Sequence, residues 1–150
     1  MSALPILPPL AALVLFAVWA MLLVSTIGLW RLTQALTGTV PKGGFVPGAP
    51  HGSDAYWRLN RAHMNAVENL PIFGAVVLSG VALNVQDALF QTLPTIVILA
   101  RVAQTLIHVS SGAAIVVLFR FTAYLIQVIA MLTMAFCVLT AAGVQLPGVN

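Results

Sequence analysis

Arg58, Arg61, Asn65 and Glu68 follow one another at intervals of three, four and three residues. On a helix that spacing lines them up along one face. Guanidinium, amide and carboxylate groups in one stripe suit a small zwitterionic ligand, because arginine grips carboxylates and a carboxylate grips an ammonium. Two further stripes follow. Arg101, Gln104 and His108 are spaced by three and four residues, and Arg120, Tyr124 and Gln127 by four and three. An arginine beside a bound thiol favours the thiolate. Bringing a thiol from its ordinary pKa near about 8.5 to near about 7 takes roughly 2 kcal/mol of differential stabilisation, which makes much of it nucleophilic at neutral pH.

These groups stand out against their surroundings. The chain has 150 residues, 61% hydrophobic and 6% charged, with six Lys and Arg and three Asp and Glu, whereas a soluble domain carries about 25% charged residues. So little charge cannot cover a water-facing surface, and the chain reads as an integral membrane protein. Burying one charge at the centre of a membrane helix costs roughly 2.5–3.5 kcal/mol on insertion scales. The stripes must therefore turn from lipid toward each other or toward a neighbouring subunit. A formal charge of +3 on scattered carriers argues against nucleic-acid binding. Cys137, the only cysteine, excludes an intrachain disulfide and a thiolate metal cluster, so no metal is expected.

Four apolar segments can position the stripes, at about 8–36, 55–84, 91–111 and 113–142. Each supplies the ~20 residues needed to cross a hydrocarbon core. None alternates like a barrel strand, so lipid requires helices. The N-terminal apolar run is too long for a secretory signal and reads as the first span. Thr37 to Asp54, rich in glycine and proline and including Pro47 and Gly48, is a loop. The second connection is short, with Pro94 suited to the first turn of the third helix. Ser110-Ser111-Gly112 forms the third connection, a tight turn. Short connections predict an all-α, up-down-up-down four-helix membrane bundle in one domain. Arg31, Lys42, Arg58 and Arg61 flank the first loop and Arg120 follows the third turn, while the second loop carries Asp87 and no basic residue. The first and third loops are therefore expected in the cytoplasm and both termini on the other side.

Each polar residue also has a plainer explanation. Arg58 can snorkel to the interface, Glu68 and Arg101 can close into a buried ion pair, and His108 can be a satisfied core histidine. Trp19, Trp30, Trp57 and Tyr124 can be interface aromatics. Together, however, three stripes facing one compartment favour a site. A transporter is disfavoured, since there is no broken helix, inverted repeat or acidic relay.

The segment Arg58-Leu59-Asn60-Arg61-Ala62-His63-Met64-Asn65-Ala66-Val67-Glu68-Asn69 resembles the second-helix signature of the MAPEG family (membrane-associated proteins in eicosanoid and glutathione metabolism), in its microsomal glutathione transferase and prostaglandin E synthase branch. The run Arg101-Val102-Ala103-Gln104-Thr105, and an arginine followed four residues later by tyrosine at Arg120 and Tyr124, are also similar. The resemblance implies a homotrimer in the membrane, a bacterial inner membrane by its compact chain. It implies glutathione, as co-substrate, held between subunits at the cytoplasmic end. Arg61, Asn65 and Glu68, with Gln104, His108 and Tyr124, would hold glutathione, and Arg31 would reach in from the neighbouring subunit. Arg101 would pair with Glu68 or help the site, and Arg120 would be the catalytic, thiolate-stabilising arginine. The implied activity is that of a glutathione-dependent transferase or peroxidase acting on lipophilic electrophiles or lipid hydroperoxides that arrive from the bilayer. The alternative is a non-catalytic lipid-binding or scaffold member. His108 stands where eicosanoid-producing members tend to have tyrosine, the segment from there to Arg120 is about three residues longer, and Met64 replaces a common basic residue.

Overall fold

The computed structural model describes residues 6–46, 50–110 and 113–144, with Ala114 by its backbone alone. Pro47 and Gly48 of the first loop, Ser111-Gly112 of the third connection and the two chain ends lie outside the described residues. Four helices follow in order, α1 (Pro9–Leu36), α2 (Asp54–Ala82), α3 (Ala88–Ser110) and α4 (Ala114–Ala141). All four are long and apolar enough to cross a membrane. The chain is thus an all-α integral membrane four-helix bundle.

The helix starts follow local chemistry. Pro9 opens α1, where its missing N–H costs nothing. The Ser53 hydroxyl caps α2 by accepting from the Tyr56 N–H at 3.3 Å. The start of α3 differs from the sequence reading. Asp87 Oδ1 accepts from the N–H of Leu89 at 2.8 Å and of Phe90 at 3.3 Å, so the helix begins at Ala88. Pro94 therefore lies inside α3, not in its first turn, and is buried.

The two N–H donors at Phe90 and Leu89 hold the Asp87 carboxyl below its ordinary range. Its capping contribution is then present above the unfolded-state pKa and lost as pH falls through the lower folded-state value. Asp87→Ala is expected to lower the thermal midpoint in detergent, and Asp87→Asn, also a good cap, to leave it nearly unchanged. The wild type and the Asp87→Asn protein should part only on acidification, read by circular dichroism at a series of pH values.

α1 packs on α2 and α3, and α4 packs on α3 and α2, while α1 and α4 do not meet among the described residues. α2 and α3 thus form the middle of the bundle. Phe16 of α1 packs on Phe73 of α2 with ring centroids 5.4 Å apart and the ring planes tilted by 40°. Phe90 of α3 fills the space over Gly80 of α2, where a Cβ would overlap its ring. Val77, Val97 and Met134 are fully buried around them. The outer faces of α1 and α4 expose Met21, Leu29, Phe121 and Leu132, as suits contact with lipid tails.

Candidate functional site at the basic end of the bundle

The end of α1, the start of α2, the end of α3 and the start of α4 meet at one end of the bundle, and Arg31, Lys42, Arg58, Arg61 and Arg120 gather there. Each of the two arginines nearest the loops is tied to its surroundings. Arg58 donates from Nε to the Val109 carbonyl at 3.2 Å, near the end of α3, where a cation is favoured. Arg31 donates from Nε to the Tyr56 hydroxyl at 2.6 Å, and its guanidinium lies 5.2 Å from the centre of the Phe45 ring.

Between α2, α3 and α4 a cavity of about 520 Å³ opens. Its polar lining is Arg61, Asn65, Gln104, His108, Arg120 and Tyr124, and its apolar lining is Val117, Leu118 and Phe121. The three stripes read from the sequence contribute two residues each. No carboxylate lines this cavity among the described residues, so its two guanidiniums give it a positive interior. A second cleft of about 230 Å³ shares Arg61 and Asn65 with it and adds Glu68, Trp57 and Met64. A third, of about 240 Å³, shares Tyr124 and is otherwise almost wholly apolar, lined along α2 and α4 by Ile72, Val76, Val128 and Met131 among others. A positive chamber thus has a carboxylate on one flank and an apolar groove on the other.

Arg120 and His108 are bonded. Arg120 Nη1 lies 2.7 Å from His108 Nδ1. A guanidinium only donates, so Nδ1 is the acceptor and the imidazole proton sits on Nε2. That Nε2 is buried and finds no partner among the described residues. His108 is neutral in this arrangement, because a doubly protonated ring could not accept from arginine.

Three of the candidate residues lie outside the cavity lining. Arg31 stays with Tyr56 and Phe45 of its own chain. Glu68 is exposed on the outer face of α2. Arg101 is 1% exposed in the bundle interior, where Nη1 donates to Gln104 Oε1 at 2.8 Å and the guanidinium lies 5.2 Å from the Phe16 ring centre. Glu68 and Arg101 are not bonded to one another in this chain, since one faces outward and the other inward. Sequence reasoning gave Gln127 no role in the site. It is fully buried and donates from Nε2 to Gln104 Oε1 at 3.1 Å. Its place in the α4 stripe with Arg120 and Tyr124 was the available signal.

The model of the MAPEG family matches residues 9–140. The chain therefore belongs to the MAPEG family, whose members are in general membrane transferases and isomerases that use glutathione. None of the curated proteins matches it.

Proposed function

We propose that this protein is a membrane-bound glutathione-dependent transferase or peroxidase acting on lipophilic electrophiles or lipid hydroperoxides. One observation carries the reading. Two guanidiniums and a set of hydrogen-bond donors share a cavity that has a carboxylate cleft on one side and an apolar groove on the other. Arg61, Asn65 and Gln104 hold the anionic portions of glutathione, His108 beside them positions Arg120, and Glu68 takes the ammonium. Arg120 stabilises the thiolate, and Tyr124 stands between the tripeptide and the groove. With an aryl halide, the thiolate attacks the ring carbon and halide leaves. With a lipid hydroperoxide, it attacks the terminal oxygen and the O–O bond breaks to give an alcohol and a sulfenic acid. A second glutathione converts the sulfenic acid to disulfide and water. The acceptor's chain enters from the bilayer along the apolar groove.

A homotrimer suits this chemistry. Arg61 and Glu68 are exposed on α2, and a second copy covering that face would remove both from lipid. Arg31, at the same end of the bundle, completes the site of the neighbouring subunit. The concentration of basic residues at this end supports a cytoplasmic site and termini on the opposite side of a bacterial inner membrane.

The test is purified protein in lipid with glutathione and either an aryl halide or a lipid hydroperoxide. Turnover well above background, lost on omitting glutathione, is the expected result. Glutathione binding measured by calorimetry without any turnover would favour the scaffold alternative, and no binding would remove the glutathione-dependent reading.

A further inference from the structure

Arg101 does not line the cavity, yet its contacts decide what one wall presents to a ligand. A glutamine amide has an accepting end and a donating end, and at a cavity wall it could show either. One attracts an anion and the other repels it. Two buried donors remove that freedom at Gln104. Arg101 Nη1 lies 2.8 Å from Gln104 Oε1, and Gln127 Nε2 lies 3.1 Å from the same atom. Arginine has no accepting form. The Gln127 amide is itself fixed, because its Nε2 also donates to the Ala123 carbonyl at 2.9 Å, and a carbonyl only accepts. Turning Gln104 over would set its N–H groups against a guanidinium and an amide nitrogen.

We infer that Arg101 is a positioning residue that, together with Gln127, locks the Gln104 amide with its oxygen toward the interior and its N–H donors toward the cavity. The inference rests on the glutathione reading above and specifies how one wall selects the anionic part of that ligand. Arg101 is itself held in place by the face of Phe16 from α1. With its guanidinium on the Gln104 oxygen, the amide is polarised and its outward N–H groups become better donors. Arg120 likewise fixes the imidazole of His108, from within the cavity, by donating to Nδ1. Two arginines, one lining the chamber and one behind it, thereby hold the two polar side chains of the α3 wall in place.

The test is a double-mutant cycle on the full-length protein, with glutathione affinity read by calorimetry and integrity by circular dichroism and size exclusion. Arg101→Met is expected to weaken glutathione binding about tenfold where Gln104 is present, the scale of one hydrogen bond to a charged group. The same change is expected to cost less than about twofold in a Gln104→Met protein, because the group it acts through is gone. Arg101→Lys, which can still donate to Oε1, should remain within about threefold of wild type. A purely structural arginine would give equal losses in both backgrounds, and that outcome overturns the inference, as does unchanged affinity in folded Arg101→Met. If Arg101→Met does not fold, Gln127→Met decides, since it keeps the arginine and removes the second donor. A loss there that vanishes with Gln104→Met supports the inference, and no loss overturns it. Failure of the wild type to bind glutathione removes this inference and the proposed function together. Binding by the wild type with a flat cycle removes only this inference.

Discussion

Replacing Arg120 with alanine is expected to lower the rate of the proposed glutathione conjugation about a hundredfold at neutral pH, the scale seen when one preorganised electrostatic group is removed from a reacting centre. Arg120 is the cavity guanidinium bonded to His108 Nδ1 at 2.7 Å, so its loss removes a positive charge and frees the imidazole at once. The deficit should depend on pH in a definite sense. An arginine that favours the thiolate matters most where the free thiol is protonated, below about 8.5, and least above it. The ratio of wild-type to Arg120→Ala rates should therefore shrink as pH rises through that region. Stopped-flow measurement of thiolate absorbance in both proteins would follow the ionisation directly. A ratio that stays flat with pH would mean that Arg120 does something other than stabilise the thiolate. Arg120→Lys keeps the charge and a donor, and should recover a large part of the rate.

Gly80→Ala is expected to destabilise the bundle by about 2 kcal/mol, within the range for overpacking a core. Gly80 lies on α2 directly against the fully buried Phe90 ring, and the added methyl group falls where the ring now sits. The ring cannot yield without displacing its own neighbours. Phe90 also stands in the first turn of α3, with its N–H held by Asp87, so the disturbance reaches the connection that sets the α2–α3 pair. Unfolding in mixed micelles under denaturant would give the value. Gly80→Ala combined with Phe90→Leu, which withdraws the clashing ring, should be less damaging than the sum of the two single changes. Strict additivity would place the cost of the alanine elsewhere.

The course of the chain was largely visible in its residues. Each span is a long apolar run broken by glycine, proline or a polar cluster, and the helical interval gathered Arg61 with Asn65, and Arg120 with Tyr124, on shared faces. What the interval could not supply was the partner across the bundle. Opposite charge pointed Arg101 to Glu68, but Arg101 turns inward onto Phe16 and Gln104 while Glu68 faces outward. The choice depends on how α2 is rotated against α3, which no stripe reports by itself. The bond between His108 and Arg120 was hidden for a similar reason, since the two lie on different helices. The start of α3 was misplaced because Pro94 gave a strong local signal and Asp87, the residue that caps the helix, a quieter one. Arg31 could not be placed relative to the site from its position at the end of α1. Tyr56 and Phe45 decide where it rests in the single chain.

The polar side chains inside the bundle also bear on how it enters the bilayer. α1 and α4 are the more apolar spans and α2 and α3 the less apolar ones. α3 alone would carry Arg101, Gln104 and His108 into hydrocarbon with nothing to answer them, and α2 would carry Arg61 and Glu68. During synthesis α1, bearing Phe16, emerges first, and α4, bearing Gln127, emerges last. The middle hairpin is thus expected to linger at the translocon until the fourth span arrives. A ribosome-stalled or truncated chain lacking α4 should leave α3 poorly integrated and open to extraction by alkali.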